Sequence, residues 1–174
     1  VKRILLIVTS VIVVLLLSAT IIAYVFEDKI ADVVLKELYK SIKTEVNHQD
    51  VSFSLIRKFP MASLQITQMK VQGFSEKRDV LSADYVFLQF NLFDVLTSNF
   101  KLKRIEINNA VLRLKVFKDG VANWDVFNEK DTSDTDFAIN LNAILFRKIN
   151  VSYEDISNDI EFGLSVIDLN AKGD

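Results

Sequence analysis

Residues 103–120 read KRIEINNAVLRLKVFKDG, and within them Leu112, Leu114 and Val116 alternate with Arg113, Lys115 and Phe117. A period of two sends alternate side chains to opposite faces of a strand, so the first three share a face and point to a core or an apolar groove. Leu102–Ile107 and Val111–Phe117 are therefore expected as strands. Asp119-Gly120 supplies the dipeptide with which a tight turn accommodates positive φ, and the turn is expected to close a hairpin onto Val121–Phe127. At an offset of 39 residues the layout recurs: Ile105, Ile107, Ala110, Leu112 and Leu114 match Ile144, Phe146, Ile149, Val151 and Tyr153. The match is of pattern more than identity, and it supports a repeated strand unit that stacks into an extended sheet.

The same period governs the flanks. Val51, Phe53 and Leu55 alternate with Ser52 and Ser54, and Leu64 and Ile66 alternate with Gln65 and Thr67 before a phase slip to Met69 and Val71 that predicts a bulge. Ala83–Leu92 is apolar on both faces through its middle, as in a central strand or one that touches lipid or another layer. Phe93–Asn99 reads as one helical turn and a reversal. Asn128–Asp136 has no apolar residue and is the best linker candidate. Phe137, Ile139 and Leu141 alternate again, Tyr153–Glu161 reads as a polar turn, and Phe162, Leu164, Val166 and Leu169 form one more strand. Asn170–Asp174 offers no closing element, and an open sheet edge is normally covered or blunted, so the chain is expected to be the front of a longer design or to be completed by another chain.

Ahead of the sheet, Ile4–Phe26 runs for 23 positions without a charge, directly after Lys2-Arg3. As a helix it reaches about 35 Å against a hydrocarbon core of about 30 Å, long enough to span with some tilt. A cleaved signal peptide has a shorter apolar stretch and small residues before the cut; Leu17 and Ile21 fit that poorly, so an uncleaved anchor is expected. Lys2 and Arg3 place the N-terminus in the cytoplasm and the rest of the chain on the other side. Glu27–Ser41 then carries Ile30, Val33, Val34 and Leu38 at helical spacing, widened by Leu35 and Tyr39. This amphipathic helix either lies on the bilayer surface or caps the sheet. The expected division is an anchor over 1–26, a helix over 27–42 and a β domain over 43–174.

Composition narrows the function. The 174 residues carry 21 Lys and Arg against 23 Asp and Glu, with no basic run longer than a pair, which argues against nucleic acid. There is no cysteine, which removes disulfides and thiolate metal sites. His48 is the only histidine, set between Asn47 and Gln49, where a solvated and inert ring is expected. Asp131, Asp134 and Asp136 lack the central Gly and terminal Glu of a calcium loop. Glu154 and Asp155 are neighbours on a strand or turn and point apart, unsuited to paired acid–base work. No catalytic, metal or cofactor site is expected. Trp124 is expected to plug one end of the sheet, a binding role being the alternative.

Taken together, these segments resemble the N-terminal region of the AsmA family, bacterial envelope proteins anchored in the inner membrane. The resemblance rests on Lys2-Arg3 with the apolar span, Val51–Leu55 leading to Phe59-Pro60, Leu64–Gly73, Leu81–Asp84, Asn91–Leu96, Ile105–Leu112 and, most specifically, Asp119-Gly120 with Asn123-Trp124. It covers nearly the whole chain, though family members run several hundred residues further. It implies a mainly β fold after a transmembrane helix: an elongated, curved antiparallel sheet whose apolar inner face forms a groove in the periplasm. Leu64, Ile66, Phe87, Leu112, Leu114 and Val116 are then the groove candidates, and Asp119, Gly120, Asn123 and Trp124 the family motif. The implied partners are membrane phospholipid and other envelope proteins, and the implied role is outer-membrane biogenesis, by passing acyl chains along the groove or by scaffolding assembly through sheet-edge contacts. Seven or eight strands at about 4.8 Å spacing give a sheet only about 35–40 Å wide, too narrow to bridge two membranes alone.

Overall fold

A computed structural model describes residues 2–97, 100–128 and 137–173; of some side chains within these ranges, among them Leu16, Ala19, Ile22, Ala23 and residues 25–30, only the backbone is described. One helix, α1 (Lys2–Ser41), precedes a single sheet of seven strands: β1 (Val46–Asn47), β2 (Asp50–Lys58), β3 (Met61–Gln72), β4 (Asp79–Asn91), β5 (Phe100–Val116), β6 (Phe137–Asp155) and β7 (Ile160–Lys172). A five-residue helix, α2 (Leu92–Leu96), follows β4, its first amides capped by the Asn91 side chain. The anchor and the amphipathic helix expected as two elements form one continuous helix, because no Gly or Pro lies between Lys2 and Ser41 to interrupt it. Among the described residues no helix is long and apolar enough to cross a membrane; several positions of the Ile4–Phe26 run are among those whose side chains are not described.

β1 and β2 share one register along the outer edge of β3, and the order then runs β3-β4-β5-β6-β7. All pairs are antiparallel except β5 and β6, which are parallel. The expectation of a wholly antiparallel sheet is thus corrected. The repeat at an offset of 39 is the register of this parallel pair: Ile105 lies beside Ile144, Ile107 beside Phe146, Ala110 beside Ile149, Leu112 beside Val151 and Leu114 beside Tyr153. A parallel neighbour needs a crossover connection, which begins with residues 117–128. The polar run expected as a linker starts at the end of this stretch and, from residue 129, lies outside the described residues.

The phase slip at Met69 also has a physical cause. Gln68 adopts φ 52°, in the left-handed region, and so do Asn109 at 50° and Lys148 at 53°. By register these three stand in one row, with Asp84 between Gln68 and Asn109 and Ile167 beyond Lys148. On each side of the row the core face alternates normally, and across it the phase shifts by one. Because every strand shifts at the same level, apolar side chains stay aligned from strand to strand, whereas a bulge in a single strand would throw its remainder onto the wrong face.

Three further expectations change. Leu102–Ile107 and Val111–Phe117 belong to one strand, β5. Val121–Phe127 forms no hairpin strand; it touches the sheet through single bridges, Val116 with Ala122 and Ile42 with Phe127. It is a strap: the Lys43 amide donates to the Val126 carbonyl at 2.8 Å, and the Asn128 side chain donates to the Lys40 carbonyl at 2.7 Å, capping the end of α1. β6 continues to Asp155, and the turn is confined to 156–159, where the Asp155 carboxylate accepts from the Ser157 and Asn158 amides and the Asn158 side chain. Those bonds, the Asn158 side chain first, hold the Asp155 carboxyl below its ordinary range against the opposing effect of burial.

Candidate functional site

Cross-strand registers assemble the apolar face row by row. Ile66, Val86, Ile107, Phe146 and Leu169 form one row, and Val71, Leu81, Leu112, Val151 and Leu164 form another beyond the kink. The chemistry along each row hardly changes, but its cover does. Val34 of α1 is fully buried in the core, with Ala31, Val33, Leu35 and Leu38 against it, and in the same core Leu64 is 0% and Ile66 1% exposed. At the other edge, Phe162 is 50%, Leu164 45% and Leu169 51% exposed. α1 packs chiefly along β2 and also touches β6, its Val34 sharing one core with Leu64 and Ile66, while among the described residues the β7 side is left open.

This distributes the groove candidates. Leu64 and Ile66 are sealed core, buried in the cluster that Val34 of α1 and Val95 of α2 complete. Phe87 pairs with Gln65 and Glu106, so it stands on the opposite face, beneath the Lys58 ammonium at 4.2 Å from its ring. Leu112, Leu114 and Val116 are half-buried on the apolar side, between the covered and open regions. The stripe expected on a membrane surface serves the core at Val33, Val34 and Leu38; the Ile30 side chain lies outside the described residues. Phe162, Leu164 and Leu169 are the most open residues of the apolar rows, and their alternation marks them only as a strand. The offset repeat is the signal that could have found them, since it aligns β6 with β5 and so extends the apolar rows toward β7.

The family-like motif is structural. Gly120 has φ 82° and no neighbour that a Cβ would meet, so its role is conformational. Asp119 accepts from the Val121 amide at 3.1 Å. Asn123 is 1% exposed and works as a clamp: its side chain donates to the Arg113 carbonyl at 2.8 Å and accepts from the Lys115 amide at 2.9 Å, closing the edge of β5 where no strand continues. Trp124 lies over Tyr153, with ring centroids 6.2 Å apart, and Tyr153 stacks on Phe162 at 5.1 Å, an aromatic file along the end of the apolar face.

The other face is polar and centred on Glu106, which is buried. Lys58 Nζ lies 2.8 Å from its carboxylate, Gln89 and Asn108 donate to it at 3.2 Å, and Arg147 Nε is 3.6 Å away. Burial pushes the Glu106 carboxyl up, but the Lys58 and Asn108 bonds and the Lys58 and Arg147 charges outweigh it, and the net shift is downward. A carboxylate so held is a poor proton carrier near neutral pH. His48 is half-buried rather than solvated, its Nδ1 2.8 Å from the Tyr39 hydroxyl, which ties α1 to the break between β1 and β2. Among the described residues no group of three metal-ligating side chains converges. No family model, curated protein or solved structure matches the chain.

Proposed function

We propose that this is a single-pass, AsmA-like protein of the bacterial inner membrane, with a cytoplasmic N-terminus and a periplasmic sheet, whose open apolar face shelters phospholipid acyl chains and so contributes to outer-membrane biogenesis. The observation that carries the reading is the loss of cover along rows of constant chemistry. Phe162, Leu164 and Leu169 continue a core whose other end is sealed, and an apolar patch left bare in water is unfavourable by about 25 cal/mol per Å². An acyl chain laid along β6 and β7 supplies the missing layer, and the aligned kink row keeps the apolar rows in step beneath it. The fold is then a groove wherever a lipid completes it. Binding, not catalysis, is the activity proposed.

The anchor rests on the sequence and on exposure. The large apolar residues described from Ile4 to Leu15 are exposed on every side of α1. A helix apolar all round has no stable place in water and a natural one in hydrocarbon. The AsmA-like character rests on the sequence motifs.

The second reading, a scaffold acting through sheet-edge contacts, is favoured by the outer edge of β7, beside which no strand stands among the described residues. A photoreactive residue at Leu164 or Leu112 of the full chain in native membranes separates the two. Phospholipid adducts at both positions, with none at Thr67 on the polar face, are expected; protein adducts alone would favour the scaffold.

A further inference from the structure

The end of the sheet that carries the β2–β3 hairpin, α2 and the start of β5 differs in kind from the opposite end. Phe59 is 71% and Phe93 75% exposed, the former at the hairpin tip and the latter on α2. They belong together: Lys58 pairs with Met61, Met61 pairs with Asn91, and Asn91 caps α2. Around them stand Arg57, Lys58, Lys101, Lys103 and Arg104. Lys58 is neutralised by Glu106, but among the described residues no carboxylate pairs with the other four. Asp94 is the acid of α2 that stands against them. Lys103 and Arg104 also line a cleft of about 290 Å³ with Met61, Asn91 and Asn142. The opposite end mixes acids and bases, as in the lining of its cleft by Glu76, Glu154 and Glu161 with Arg78, Arg113 and Lys115.

The helix points the same way. Ser41 and Ile42 are held by Asn128 and Phe127, Tyr39 is bonded to His48, and the main neighbour of α1 is β2. Followed back from Tyr39, α1 therefore leaves His48 and runs along β2, whose far end is the Phe59 hairpin. The exposed apolar half of the helix is thus directed to the side of the molecule where unpaired cations surround two bare phenylalanines. Cations beside exposed aromatics match a surface with anionic headgroups above hydrocarbon.

We propose that this end of the sheet rests on an anionic bilayer surface, with Phe59 and Phe93 inserted among the headgroups and Arg57, Lys101, Lys103 and Arg104 against their phosphates. The proposal rests on membrane anchoring through Ile4–Phe26 and adds to it an orientation: the sheet stands on one end, with Trp124 and the aromatic file at the end away from the membrane.

The test uses the full chain in vesicles of phosphatidylcholine and phosphatidylglycerol with brominated acyl chains. Phe59→Trp and Phe93→Trp, each in a Trp124→Phe background, report on the tips; Trp124 in the unaltered chain reports on the far end, and Ile12→Trp in the same background on the anchor. Bromine is expected to quench the tip tryptophans at least about two-fold more than Trp124, and the excess to fall when phosphatidylglycerol is left out. Tips quenched no more than Trp124, with Ile12→Trp strongly quenched, overturn this surface and leave the anchor standing. An unquenched Ile12→Trp overturns the anchoring itself and this proposal with it. Equal tip quenching in pure phosphatidylcholine overturns the anionic assignment.

Discussion

The β3–β4 side of the sheet and its β7 side present the same kind of apolar row and differ in what lies on top. Leu64 and Ile66 share a sealed core with Val34 of α1; over Leu164 and Leu169 no such layer stands among the described residues, and about half of each side chain is exposed. An apolar strand face does not itself specify a core. It specifies a surface that needs covering, and whether a helix or another molecule covers it depends on where the connections bring the rest of the chain.

Matched truncations test this contrast most strongly. Phe90→Ala, at a fully buried site, is expected to lose about 3–5 kcal/mol in urea unfolding, whereas Phe162→Ala, half exposed, loses under about 1 kcal/mol. Equal losses would mean that the β7 face is covered in solution. Next comes the strap that ends at α1. Asn123→Ala leaves the Arg113 carbonyl and the Lys115 amide without their partner and is expected to cost about 2–3 kcal/mol, with hydrogen exchange rising in 121–128 and in the last turn of α1 before it rises in β3 and β4. Gly120→Ala strains the same strap through φ alone and should cost about 1–2 kcal/mol, detected as a lower urea midpoint.

The smallest effect expected is a slope on the polar face. The folded Glu106 carboxyl lies below its unfolded value, so its contribution to stability is present above the unfolded carboxylate range and is lost as pH falls through the folded value. Asp155 acts in the same direction. Stability measured downward from neutral pH should therefore decline through the acid range, and Glu106→Gln should flatten that decline. An unchanged slope would remove Glu106 from the balance.

Much of the sheet is legible in the residues. Alternation marks the strands, and the slip from Ile66 to Met69 marks the kink in β3. The same slip, Ile107 to Ala110 and Phe146 to Ile149, marks it in β5 and β6, but it reads as one line across the sheet only once the register is known. The 39-residue repeat coincides with the parallel register of β5 on β6, but likeness of pattern between two segments does not make them neighbours, so the pairing itself is not read from it. Val121–Phe127 misleads because Asp119-Gly120 suits any tight turn, and the path of the chain beyond that turn is decided by Asn123 closing the β5 edge. Of the candidate face, Leu112, Leu114 and Val116 are legible from their strict alternation; Leu64 and Ile66 are indistinguishable from them by pattern and differ only in being fully buried in the core that Val34 joins.

Local chemistry, then, determined the strand periodicity, the uncharged run from Ile4 to Phe26, the turn at Gly120 and the absence of cysteine, because each depends on residue type and spacing alone. Only the tertiary structure decided which apolar rows are sealed and which stay open, that β6 joins parallel, and that the kinks of successive strands fall in line. Those depend on contacts between residues far apart in the chain, such as Val34 against the core and Asn123 against β5, and no local period encodes which distant surface will arrive to make them.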